Sequence, residues 1–174
     1  RVGLLLFASR PERYLRPSGG ATHVLRVVRE MLWAHPETSG TDIGGALEYL
    51  TGVHKRRATV FLVSDFLAAI EPGQLRSAAR RHDIIALRVR DPIDEQLPRA
   101  GIITLHDAET GQSIEVDSSS AAVRQAYAAR VALTDRERRH LFGSLKIEEI
   151  ALTPGADYVP ALLQFFRRRA TGAA

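Results

Sequence analysis

Apolar runs alternate with amphipathic stretches along most of this chain, and the alternation predicts strands and helices in turn. Val2-Gly3-Leu4-Leu5-Leu6-Phe7 has no polar face and reads as a buried strand. Glu12 to Arg16 reads as a short extended segment closed by the turn cluster Pro17-Ser18-Gly19-Gly20. Thr22 stands where it can cap a helix whose Val24, Val27, Val28 and Met31 make one apolar stripe, ending near Trp33 before Pro36. After a loop from Pro36 to Gly40, a second helix opens at Thr41, with Ile43, Ala46, Leu47 and Leu50 on one face. Ala58 to Val63 has no polar face and is expected to be a strand covered on both sides. Glu71-Pro72 starts a helix through Arg81, with Leu75, Ala78 and Ala79 facing one way, and Asp83 to Val89 is the next buried strand.

This order predicts an α/β fold with strands 2–7, 59–64 and 84–89 in one mostly parallel sheet. From Gly101 the pattern changes. Ile102 to Leu105 and Ser113 to Val116 flank Glu109-Thr110-Gly111-Gln112 as a β-hairpin. Ser118 can cap a long helix reaching about Leu141, with Val123, Tyr127 and Val131 spaced by four. A strand near Ile147 to Leu152 and a helix from Tyr158 to Arg169 complete the pattern, with no internal repeat.

Composition narrows the class. A chain of 174 residues, 45% hydrophobic, can bury one core, so a single domain over 1–174 is expected. There is no cysteine, which excludes disulfides and thiolate zinc sites and suits a reducing compartment, so a cytoplasmic location is expected. No apolar run approaches the ~18 residues of a membrane span, and no membrane attachment is expected within the chain. The chain opens at Arg1 directly into a core strand, which reads as a stretch whose preceding residues are missing. The formal charge of +4 comes from scattered arginines, and the 6% of aromatics do not interleave with them. That favours solvated helix faces over a nucleic-acid partner.

The candidate chemistry sits at two loops. Asp65 follows the strand 59–64 at its carboxyl end, where ligands of parallel sheets gather, and the Thr41 hydroxyl stands at a helix N-terminus that could face the same crevice. A hydroxyl and a carboxylate are hard oxygen ligands suited to Mg²⁺ or Mn²⁺, although two are too few for a complete site. Each residue also has a structural role open to it. Thr41 can cap its helix, Asp42 can be a first-turn acid rather than a partner of metal-bound water, and Asp65 can cap the following turn. Ser39 and Ser64 lie in no Gly-x-Ser-x-Gly elbow, and His82 has no evident role as their base. The other histidines show no metal-ligand spacing, and Arg167 to Arg169 complement the dipole of the last helix. No catalytic residue is expected.

Several strings in order resemble the bacterial domain of unknown function 58 family, a group similar to the von Willebrand factor A fold. They are Arg1 to Phe7, Gly40-Thr41-Asp42-Ile43 with Ala46-Leu47, Val63-Ser64-Asp65-Phe66, Arg81 to Leu87, Asp91-Pro92 with Leu97-Pro98, Asp107 to Gly111, and Leu152-Thr153 before Asp157-Tyr158. The resemblance implies a Rossmann-like three-layer sandwich that lacks its N-terminal central strand. It implies a metal-ion-dependent adhesion site in which Thr41 is the threonine and Asp65 the later aspartate, with Asp42 beside them, while the Asp-x-Ser-x-Ser loop would precede Arg1. Mg²⁺ or Mn²⁺ is then expected in the intact protein, and no bound cation in this stretch alone. The implied function is a non-enzymatic protein-interaction module working beside a MoxR-type AAA+ ATPase in protein assembly or maturation. A metal-dependent phosphohydrolase and a metal-free structural adaptor are the other readings. Strand edges left without a neighbour would favour self-association.

Overall fold

The computed structural model describes residues 1–106 and 113–171, and the expected hairpin turn Glu109 to Gln112 lies outside them. The chain forms two compact units, one built of Arg1–Arg57, Leu67–Arg81 and Leu105–Ile114, the other of Ala58–Phe66, His82–Thr104 and Glu115–Ala174.

In the first unit β1 (Val2–Phe7) pairs antiparallel with β2 (Pro11–Ser18). β1 is therefore a hairpin strand, and it is not hydrogen-bonded into the parallel sheet as its apolar pattern predicted. Its residues are mostly half-buried, as a strand with one neighbour would be. Between the pairs Val2↔Ser18 and Leu4↔Leu15 the second strand carries one extra residue. That bulge sits opposite Gly3, where a Cβ would stand 2.9 Å from the Leu15 carbonyl oxygen and 3.0 Å from the Pro17 ring.

Helix α1 (Ala21–Leu32) follows, capped by Gly20 at φ +93° with no side-chain hydrogen bond, so Thr22 lies inside the helix and does not cap it. Of the predicted stripe only Val27 is buried. Helices α2 (Ile43–Val53) and α3 (Pro72–Arg81) pack on each other, and Ile43, Ala46, Leu47, Leu75 and Ala78 are buried.

The second unit holds the parallel sheet, in the order β3 (Thr59–Ser64), β4 (Asp83–Val89), β7 (Glu148–Leu152). The registers Thr59↔Asp83 and Leu87↔Ile150 align the carboxyl ends of all three. Alternation sends Ile85, Leu87, Ile150 and Leu152 to one face, where α6 (Val159–Thr171) covers them with Leu162 and Phe165. Arg88 and Glu149 point to the other face and meet Asp135 and Arg138 of α5 (Ala121–Ser144). Helices on opposite faces make this unit a three-layer α/β arrangement.

The coverage is incomplete at β3. Phe61 and Val63 are exposed although the Phe166 ring of α6 lies edge-on to Phe61, because β3 is the edge strand, so the strand is not covered on both sides. A single turn, α4 (Pro92–Glu95), follows β4, and β5 (Ile102–His106) pairs with β6 (Ser113–Asp117). Ser120, not Ser118, caps α5. Ser118 is buried and its hydroxyl donates to the Gly101 carbonyl at 2.7 Å, tying the chain after β6 to the residue before β5. Arg169 is more than a dipole partner, since its guanidinium grips both Asp83 oxygens at 2.8 and 2.9 Å.

Candidate functional site: an acidic edge beyond the parallel strands

Thr41 and Asp42 belong to the first unit and Asp65 to the second, so each is described in its own unit. Asp42 is the N-cap of α2: its Oδ1 accepts from the Gly45 amide at 2.8 Å, and its own amide donates to the Ala8 carbonyl at 2.8 Å. The cap is thus Asp42, one residue beyond the hydroxyl expected to fill it. Glycine at 45 matters here, because a Cβ would lie 2.3 Å from Asp42 Oδ2. Thr41 is half-buried, just before the cap.

Asp65 is exposed immediately beyond the end of β3. Ser64 Oγ accepts from the Phe66 amide at 3.0 Å and lies 3.4 Å from Asp65 Oδ1, so the serine holds the turn. Phe66 adopts φ +58°, a left-handed conformation that costs a bulky residue energy. It is kept there by burial, with its ring edge-on to Phe142 at 5.4 Å. The turn that presents Asp65 is therefore fixed from the core side.

Asp91, Asp94 and Glu95 follow β4 at the same carboxyl edge. Burial pushes the Asp94 carboxyl above its ordinary value, and the negative charges of Asp91 and Asp65 push it further. Tyr127 of α5 donates to the Asp94 carbonyl at 3.1 Å, and burial and then Asp94 raise its phenol. Behind this edge lies an ion-paired layer of three arginines and three carboxylates. Arg88 donates to Asp135 at 3.1 Å, Arg138 donates to Asp135 at 2.7 Å and to Glu149 at 3.0 and 3.3 Å, and Arg90 forms a two-pronged pair with Glu95. The hydrogen bond from Arg90 holds the Glu95 carboxyl below the usual range against the opposing effect of burial.

Sequence reasoning found Asp65 but passed over Asp94, Arg88 and Arg138. Arg88 left a signal, an arginine inside the otherwise apolar run Ile84 to Val89. Asp94 left none, since its environment is assembled from β3, β4 and α5.

Among the described residues no three His, Asp or Glu side chains are placed to hold a metal ion together. Of the proposed ligands, Asp42 is committed to its cap, which leaves one hydroxyl and one carboxylate. A magnesium ion takes six oxygens. What the second unit presents is an acidic rim, with Asp65 and Asp91 exposed beyond the ends of the parallel strands.

Fold and rim together define an α/β module with a charged carboxyl edge. The family described as "Protein of unknown function DUF58" matches residues 1–138, and the chain belongs to that family. An uncharacterized protein of Mycobacterium avium is 30% identical over 133 residues, covering 76% of this chain and 78% of its own. An uncharacterized protein of Mycobacterium tuberculosis is 30% identical over 151 residues, covering 86% of this chain and 47% of its own, so the chain spans about half of that relative. No solved structure matches. No helix among the described residues is long and apolar enough to cross a membrane.

Proposed function

We propose that this chain is a non-enzymatic protein-interaction module of von Willebrand factor A-like fold. In this reading it works in the cytoplasm beside a MoxR-type AAA+ ATPase in the assembly or maturation of other proteins. Thr41 and Asp65 hold Mg²⁺ or Mn²⁺ in the intact protein, Asp42 stands behind them, and the remaining ligands come from water, a partner's carboxylate or other parts of the protein. The observation that carries the reading is the exposed Asp65, presented by a strained, core-anchored turn at the carboxyl end of a parallel strand. The hydroxyl of Ser64, the residue before Asp65, serves the turn, which supports binding over hydrolysis. The metal-free adaptor is the second reading, favoured by the short donor set.

Calorimetric titration of the intact protein with Mg²⁺ and Mn²⁺ separates the two. Binding is expected in the wild type and is lost in Asp65→Ala and Thr41→Ala with circular dichroism unchanged, while Asp42→Asn, which keeps a capping oxygen, binds. A wild type that binds neither cation establishes the adaptor. Unchanged binding in Asp65→Ala removes that residue from the site.

A further inference from the structure

The two edges of the parallel sheet are built differently. β7 carries Glu148 and Glu149, held by Arg169 and Arg138, and charged side chains on an edge strand keep other strands from pairing with it. β3 has no such guard. Thr59-Val60-Phe61-Leu62-Val63-Ser64 contains no charge and no proline, and its register with β4 runs from Thr59↔Asp83 to Ser64↔Arg88 without a bulge. Among the described residues β4 is the only strand paired with it, so the backbone N–H and C=O groups along its far side face outward.

The side chains repeat the contrast. Register sets Phe61 beside Ile85 and Val63 beside Leu87, on the face that α6 covers, yet Phe61 is 42% and Val63 51% exposed while Leu62 on the other face is buried. A regular, uncharged edge with apolar side chains open along it is a template for a further strand.

The sequence of β3 selects the occupant. A second copy laid antiparallel about Leu62 puts Phe61 of each copy opposite Val63 of the other, and Val60 opposite Ser64, with each residue kept on its own face. Pairs of an aromatic and a β-branched side chain across two strands are stabilising, and this register makes two of them. Charge sets the direction. Asp65 follows each strand, and antiparallel pairing sends the two acids to opposite ends, about 20 Å apart, where parallel pairing would put them side by side. Each copy brings the same bare edge, so one two-fold contact covers both and closes the assembly at two.

We propose that β3 pairs antiparallel with β3 of a second copy, in register about Leu62, joining two three-stranded sheets into one of six strands. A six-residue edge makes a small contact, so the dimer dissociates on dilution. The proposal is independent of the cation reading.

Sedimentation velocity should show the mass rising from that of one chain towards twice that value as concentration increases, and β3 amides should exchange hydrogen more slowly in the concentrated sample. Val63→Lys sets a charge opposite Phe61 in both halves of the contact and should weaken the dimer by about tenfold or more, with circular dichroism unchanged because Val63 is exposed. Leu133→Lys, at an equally exposed apolar residue of α5, should leave it as strong as the wild type. The chain has no cysteine, so singly substituted Phe61→Cys and Val63→Cys proteins, mixed and oxidised, should form the mixed disulfide in preference to either self-linked one. A monomer at every concentration overturns the proposal: protected β3 amides then mean that another strand of the same chain covers the edge, and unprotected ones that it stays open. A dimer that Val63→Lys does not weaken, or that shows no preference for the mixed disulfide, also overturns it. If Val63→Lys does not fold, amide exchange and the cysteine pair decide.

Discussion

Arg138 tests whether the ion-paired layer behind the acidic rim holds the second unit together. Its side chain is only 5% exposed, and it donates to Asp135 at 2.7 Å and to both oxygens of Glu149. Arg138→Ala leaves Asp135 with Arg88 at 3.1 Å but strips Glu149 of both of these bonds in a site it cannot easily leave. Breaking a buried pair from one side costs about 3–5 kcal/mol, and the surviving Arg88 contact places this case near the lower end. For a chain of this length about 3 kcal/mol corresponds to a thermal midpoint lower by roughly 6 to 12 °C. The loss has a pH signature. Burial alone would raise the Asp135 carboxyl, but the hydrogen bonds and charges of Arg138 and Arg88 hold it below its ordinary value. A carboxylate depressed in the folded state adds stability above its unfolded value, about 3.9, and loses it as the pH falls through the folded one. The gap between wild type and variant should therefore be widest at neutral pH and narrow below about pH 4. Urea unfolding followed by far-ultraviolet circular dichroism at pH 7 and at about pH 3 measures both. The double variant Arg138→Met with Glu149→Leu should recover most of the loss, because it removes the stranded charge as well as its partner. A cost under about 1 kcal/mol for Arg138→Ala, or a double variant as weak as the single one, would refute the reasoning.

Asp94→Asn should raise the melting temperature at pH 7, since a carboxyl whose value is raised by burial and by Asp91 and Asp65 costs stability when ionised. The gain should fade as the pH falls through the raised value and vanish below the unfolded one, so melts at pH 7 and pH 3 that show equal gains would contradict it. Gly3→Ala should destabilise the protein by about 1–3 kcal/mol, because its Cβ would meet the backbone oxygen of Leu15 at the bulge. Urea unfolding checks this, and a neutral result would mean that β2 yields there.

Local pattern fixed those elements whose signals depend only on neighbours along the chain. Pro72 and Arg81 bound α3 as the pattern predicts, and Asp83 to Val89 is a buried strand, because a helix start and an apolar period are properties of adjacent residues. Asp65 was legible for the same reason, as the first acid after an apolar run. Choices between chemically equivalent neighbours were not legible. Asp42 rather than Thr41 caps α2, and Ser120 rather than Ser118 caps α5, because hydrogen bonds to Ala8 and Gly101 from elsewhere in the chain decide which residue is left at the helix end. Which side of an element is covered was also beyond the sequence. β3 and α1 each carry enough apolar residues for burial, but β3 is an edge strand and α1 lies against the hairpin along His23, Val27 and Glu30. The charges of the rim follow the same logic. Asp94 and Arg138 acquire their properties from Asp65, Asp91, Asp135 and Glu149, and only the parallel register that aligns β3, β4 and β7 places those groups within electrostatic reach. Burial and pairing are sums over residues distant in sequence, so the tertiary structure alone could set them.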